Sequence, residues 1–218
     1  MTPENRLLQA IRSPLPGLHL DEFAGLVGLV FDPSGSIVEI REGLDALAER
    51  CEPDFASILR LFGPGGLVGN AVAYQDPRNS YLHEVLRRGL GIPITLSVCA
   101  IEVGRRLGVP VRGVGLPGHF MVECRGRYGD PFRGSPPFDG DDLIDRWRGN
   151  TGRSGPLDPR LLTPVDDRSV VLRMLNNLTQ VFVETPDRRL ASMVRLRAAF
   201  PELESEEANH REWMRHWN

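Results

Sequence analysis

The chain contains no lysine: all 26 of its basic residues are arginine. That absence excludes a lysine Schiff base, a pyridoxal phosphate site and a phosphate-binding loop of the Gly-Lys-Ser/Thr type, each of which depends on the primary amine. A codon bias in a GC-rich genome accounts for it. Cysteine is scarce too. Cys51, Cys99 and Cys124 make an odd set of three at no metal-ligand spacing. They argue against a disulfide scaffold and for a reducing compartment. The N-terminal run MTPENRLLQAIRS lacks an apolar stretch of signal-peptide length, and no apolar run approaches bilayer-spanning length. A cytoplasmic protein with no membrane partner is expected. A formal net charge of −3 supplies no strong pull towards nucleic acid. His19, His210 and His216 show no ligand spacing, so neither a metal site nor a cofactor is expected.

What is present is an ordinary globular composition, 41% hydrophobic and 25% charged over 218 residues. Residues 4–61 read as helical. Leu20 to Phe31 forms one apolar stretch. Ser36 caps a helix to Glu49 with Ile37, Ile40, Leu44 and Leu47 on one stripe, and Asp54 to Leu61 is a further short helix. Phe62 to Arg78 is irregular. Asn79 or Ser80 caps the next helix, Gly89 and Gly91 end it, and Pro93 opens another. That helix, from about Ile94 to Leu107, is apolar on most sides and belongs in the interior; Glu102 and Arg106 sit one turn apart and can pair. Gly108 stops it.

Val111 to Leu116 reads as a strand weakened by Gly113 and Gly115, and His119 to Cys124 as a clearer one that returns through a turn at Arg125-Gly126-Arg127 to Asp130. Asp141 to Trp147 is a short helix and Arg148 to Pro164 a surface loop. Val170 to Val183, Arg188 to Phe200 and Glu204 to Trp217 read as three closing helices, with Trp213 and Trp217 on one packing face.

The chemistry suggested by this order is that of a thiol triad. A thiolate is favoured at a helix N-terminus, a histidine must reach it, and a carboxylate must orient the histidine. His119 and Asp130 fit the second and third roles, since the hairpin can bring Asp130 beside His119. Side-chain alternation puts His119, Met121 and Glu123 on one face and Phe120, Val122 and Cys124 on the other, which removes Cys124 as a partner. Cys99 reads as a small buried residue, Cys51 and Cys124 as structural, and His83 as a solvated residue on a surface-like helix.

The run LGVPVRGVGLPGHFMVE followed by GDPF, behind the apolar helix, resembles the transglutaminase-like superfamily. Asp76-Pro77-Arg78-Asn79-Ser80, Gly91-Ile92-Pro93-Ile94-Thr95-Leu96-Ser97 and Leu116-Pro117-Gly118-His119-Phe120 resemble a bacterial branch of it, the SirB type. The resemblance implies an α+β fold with a transglutaminase-like (papain-like) core, one buried helix against a small antiparallel sheet. Helical parts flank it: residues 1–70 as an N-terminal subdomain, 71–165 as the core, and 166–218 as a helical extension like a degenerate tetratricopeptide unit. It also implies a nucleophilic cysteine about four turns before the Leu107-Gly108 helix end. That position falls at Pro93 or a neighbour, where there is no cysteine. Cys99 lies six residues later, about 9 Å up the axis and turned by about 240°.

The expectation is therefore a catalytically silent relative that keeps His119 and Asp130 in a pocket and serves as a binding or interaction module. The alternative is an acyl-transfer enzyme, a thiol hydrolase or transglutaminase, using Cys99, Ser97 or Thr95 as nucleophile. A protein partner would dock through the core pocket or the C-terminal helices.

Overall fold

The computed structural model describes residues 1–13, 17–152, 157–184 and 189–200. The fold is mixed α+β, and its centre is the predicted apolar helix. Four helices come first: α1 (Pro3–Arg12), α2 (Leu20–Phe31), α3 (Ile37–Ala48) and the short α4 (Phe55–Leu59). Their starts are set locally. The Ser36 hydroxyl accepts the Glu39 N–H at 3.1 Å, and Asp54 caps α4 through the Ser57 N–H at 2.8 Å. The segment expected to be irregular contains β1 (Val68–Gly69). After α5 (Leu82–Arg88) this strand pairs in parallel with β2 (Leu90–Gly91), joining Val68 to Leu90 and Gly69 to Gly91. Pairs this short carry almost no periodic signal, so the alternation rule misses them.

Asn79 and Ser80 do not cap α5. They lie in a 3-10 turn, Pro77–Ser80, and α5 starts after Tyr81 without a side-chain cap. The Asn79 amide is committed elsewhere. It donates to the carbonyls of Ala73 (2.7 Å) and Tyr74 (3.3 Å) and accepts from Asn70 (3.1 Å), pinning the loop that precedes it.

Helix α6 (Pro93–Leu107) follows directly, with Pro93 in its first turn and Gly108 ending it at φ 69°. Every residue from Pro93 to Ala100 is buried. Each large aliphatic side chain here, such as Ile94, Leu96 or Val98, contributes about 1.5–3 kcal/mol through burial. The polar end is satisfied by ion pairing. Buried Glu102 pairs with Arg105 at 2.6 Å and Arg106 at 2.8 Å, and both arginines reach buried Asp21 on α2.

Strands β3 (Arg112–Leu116), β4 (His119–Cys124) and β5 (Arg127–Gly129) form an antiparallel sheet in that order. Leu116 pairs with His119, Val114 with Met121, and Val122 with Gly129. The two faces of the sheet go to different cores. Phe120, Val122 and Cys124 join the main cluster with α6, while Val114, Leu116 and Met121 join a smaller one with Leu143 and Trp147 of α7 (Gly140–Thr151). The glycines that weaken β3 as a strand prove to be packing positions. A Cβ on Gly113 would fall 2.8 Å from the Phe120 ring, and one on Gly115 2.4 Å from Arg173.

The expected surface loop after Arg148 is shorter than predicted, because α7 runs to Thr151, a 3-10 turn spans Pro159–Leu162, and Val165 bridges to Gly113. Helices α8 (Asp167–Glu184) and α9 (Arg189–Arg197) close the described chain, and the main core draws residues from Leu7 through Phe200. The predicted helix from Glu204 to Trp217, with Trp213 and Trp217, and the histidines His210 and His216 lie outside the described residues. Among the described residues no helix is long and apolar enough to cross a membrane.

Candidate functional site

The site forms where the β4–β5 hairpin returns to its own start. Gly118, at φ 77°, turns the chain into β4 and makes His119 the first residue of the strand. Asp130 comes straight after β5. His119 Nε2 and Asp130 Oδ2 lie 2.8 Å apart, with side chains 7% and 1% exposed. The carboxylate is held by more than the histidine. Its Oδ1 accepts the N–H groups of Phe132 (3.1 Å) and Arg133 (3.3 Å), and the Asp130 N–H donates to Ser135 Oγ (3.0 Å). A carboxylate fixed in this way calls for a proton on Nε2, and in the neutral ring that places the lone pair on Nδ1.

Aromatic side chains pack beside the pair. The Phe132 ring meets His119 edge-on at 6.3 Å between centroids and Tyr74 at 6.1 Å. It also rests on Gly69, where a Cβ would fall 2.6 Å from the ring. Thus β1 needs its glycine to let Phe132 approach. Tyr74 and Val72, on the loop pinned by Asn79, are exposed, and Arg133 Nε lies 3.8 Å from Asp130.

The start of α6 presents no thiol. Thr95, a candidate nucleophile, is committed to structure. Its hydroxyl accepts the Ile92 N–H at 3.1 Å and donates towards the Asn79 carbonyl at 2.7 Å, tying the helix start to the 3-10 turn. Ser97 is fully buried and its Oγ has no hydrogen-bond partner. Cys99 is fully buried, and burial, reinforced by Glu102, pushes its thiol up to about 12, so it carries essentially no thiolate at neutral pH. Cys99 packs in the main cluster with Phe120 and Val122, whereas His119 begins β4 on the face that carries Met121. His119 and Asp130 come together, and no hydrogen bond joins Cys99, Ser97 or Thr95 to them.

Cys124 is buried and Cys51 half-buried, and burial raises both thiols.

His83, expected to be solvated, is fully buried. Its Nε2 lies 3.2 Å from Asp32 Oδ2, and its ring fills a slot between glycines. A Cβ on Gly35 would fall 2.4 Å from the ring and one on Gly28 3.4 Å from Nδ1. Gly28, Asp32 and Gly35 are the only sequence traces of that slot, and they read as helix filler and turn. Asp32, His83 and Glu84 bring ligand atoms within 4.8 Å of one another. They suit a metal poorly. Glu84 is paired with Arg87 at 2.6 Å, and a cation on Nε2 would force a proton onto Nδ1, which is buried without an acceptor.

A buried helix backing a small antiparallel sheet, with a histidine opening one strand and an aspartate closing the next, defines a transglutaminase-like domain. Residues 37–176 match the family model of the transglutaminase-like superfamily, and the chain belongs to that superfamily. A UPF0162 protein of Xylella fastidiosa is 44% identical over 132 residues, covering 57% of this chain and 47% of its own. A UPF0162 protein of Vibrio cholerae is 32% identical over 128 residues, covering 56% and 47%. Human F-box only protein 21 is 42% identical over 62 residues, which is 28% of this chain and 10% of that protein. The chain spans about half the length of the bacterial relatives. No solved structure matches it.

Proposed function

We propose that this protein is a catalytically silent member of its superfamily, a binding module whose pocket is framed by His119, Asp130, Phe132 and Tyr74. One observation carries the reading. The position that would supply a nucleophile at the start of α6 holds Pro93, and the nearest hydroxyl and thiol are committed or buried: Thr95 caps the helix, and Cys99 is a core residue with its thiol near 12. Without a nucleophile the dyad keeps its geometry but has no atom to activate. A fixed imidazole with a free Nδ1, aromatic neighbours and an exposed apolar loop still suit recognition of a partner's polar group beside an apolar side chain. The test is turnover by the purified chain on amide, ester and thioester substrates. No His119-dependent product is expected, and cleavage abolished by His119→Ala would overturn the proposal.

A second reading rests on Ser97, one turn above Pro93, whose buried hydroxyl has no partner. In that reading Ser97 attacks an acyl group with His119 as base. Labelling by a fluorophosphonate that is lost in Ser97→Ala and in His119→Ala would establish it.

A further inference from the structure

The far end of β4 carries a second feature that the dyad does not use. Strands β4 and β5 are joined by Arg125 and Gly126, between the paired residues Cys124 and Arg127. Both linking residues have positive φ, 51° and 80°. A two-residue hairpin of this kind is built at least cost from Asn-Gly or Gly-Gly. Among the described residues Arg125 is the only non-glycine with positive φ. Backbone strain of this sort persists where a side chain is needed in that place.

Among the described residues no carboxylate pairs with that side chain. Glu123, two residues away, gives Oε1 to the Gly126 N–H at 2.7 Å and Oε2 to Arg112 at 2.8 Å. Arg127 donates to the carbonyls of Phe138 (3.3 Å) and Pro137 (3.0 Å), and among the described residues neither Arg125 nor Arg127 belongs to an ion pair. Arg125 and Arg127 both line one cavity of about 510 Å³, whose walls include Phe55, Val109 and Pro137. Asp54 is its one carboxylate, and that group already accepts the Ser57 N–H at 2.8 Å. Its volume lies in the range of small-ligand sites, and its lining mixes apolar side chains with the two arginines. The cavity lies about 17 Å along β4 from His119, at about 3.3 Å per residue, so it is a separate site.

We propose that this cavity binds a small amphipathic anion. The apolar body lies against Phe55, Val109 and Pro137, and a carboxylate or phosphate head is held by Arg125 with support from Arg127. A planar guanidinium meets either head group with two parallel N–H donors, a reason for arginine at a position whose backbone favours asparagine or glycine.

The test uses the full chain, titrated with octanoate, octyl phosphate and octan-1-ol, and follows the backbone amide resonances of Phe55, Val109, Arg125 and Gly126. Saturable shifts at these amides are expected for at least one of the two anions, and their ranking identifies the head group. Octan-1-ol should bind at least about tenfold more weakly than the preferred anion. Arg125→Gly and Arg125→Asn should weaken the anion by at least about tenfold as well. Both residues accept the turn's backbone, so the thermal midpoint of each variant should be unchanged or higher. Absence of saturable binding by both anions would overturn the proposal. So would equal binding by octan-1-ol, retained affinity in both variants, or a lowered thermal midpoint in Arg125→Gly, which would make the side chain structural.

Discussion

The described residues contain two histidine–aspartate pairs of similar length, His119–Asp130 at 2.8 Å and His83–Asp32 at 3.2 Å, built in opposite ways. In the first the aspartate is the fixed partner. Two backbone N–H groups hold Asp130, and the carboxylate in turn orients the His119 imidazole. In the second the histidine is the fixed partner. Packing against Gly35 and Gly28 sets the His83 ring, and Asp32, at the protein surface, only satisfies one of its nitrogens. A carboxylate that orients an imidazole and leaves its other nitrogen available is the arrangement acid–base chemistry uses. A buried imidazole whose other nitrogen meets no partner serves packing. Pair distance alone does not separate the two; the placement of the rigid support does.

The largest expected effect tests this contrast through stability. His83→Ala should cost about 3 kcal/mol in denaturant unfolding, as loss of a buried ring with the cavity it leaves. His119→Ala should cost less, about 1–2 kcal/mol, as loss of its hydrogen bond to Asp130 by a side chain 7% exposed. Equal losses would erase the distinction. Next in size, Gly35→Ala should destabilise by about 1–3 kcal/mol, because the added methyl meets the His83 ring. A neutral result would mean that the slot yields and does not position the ring.

Asp130→Asn should have a smaller effect on stability, about 1 kcal/mol, since the amide oxygen can still accept the backbone donors. Its signature is the 15N shifts of His119, which should lose the preference for the Nε2–H tautomer, whereas Asp32→Asn should leave the His83 ring in place. The smallest effect concerns Cys99. With its thiol near 12, native protein at pH 8 should show almost no alkylation there, and labelling should appear on unfolding. Prompt labelling that depends on His119 would restore a thiol to the site.

The same pairs show how far the sequence could be read. His119 and Asp130 were legible because a strand start, a two-residue turn and a strand end bring them together within one hairpin, and alternation along β4 assigned its faces correctly. The buried helix, its proline start and its glycine stop were legible for similarly local reasons. His83 was misread because its partners, Asp32 and Gly35, lie about fifty residues earlier in the chain and across a helix interface. Asn79 was misread because its amide could serve as a helix cap or as a loop pin, and the contacts with Asn70 and Ala73 chose the second.

By itself the sequence determined the central helix, the hairpin and the absence of cysteine from the start of that helix. These follow from periodicity, turn residues and identity at one position, all of which act within a few residues. Tertiary structure decided which of two histidines is buried and that Thr95 is committed while Ser97 is not. It also decided that Arg125, in a backbone conformation arginine rarely adopts, lines a cavity and, among the described residues, belongs to no ion pair. Burial and hydrogen-bond satisfaction depend on what packs from elsewhere in the chain, and no local pattern records it.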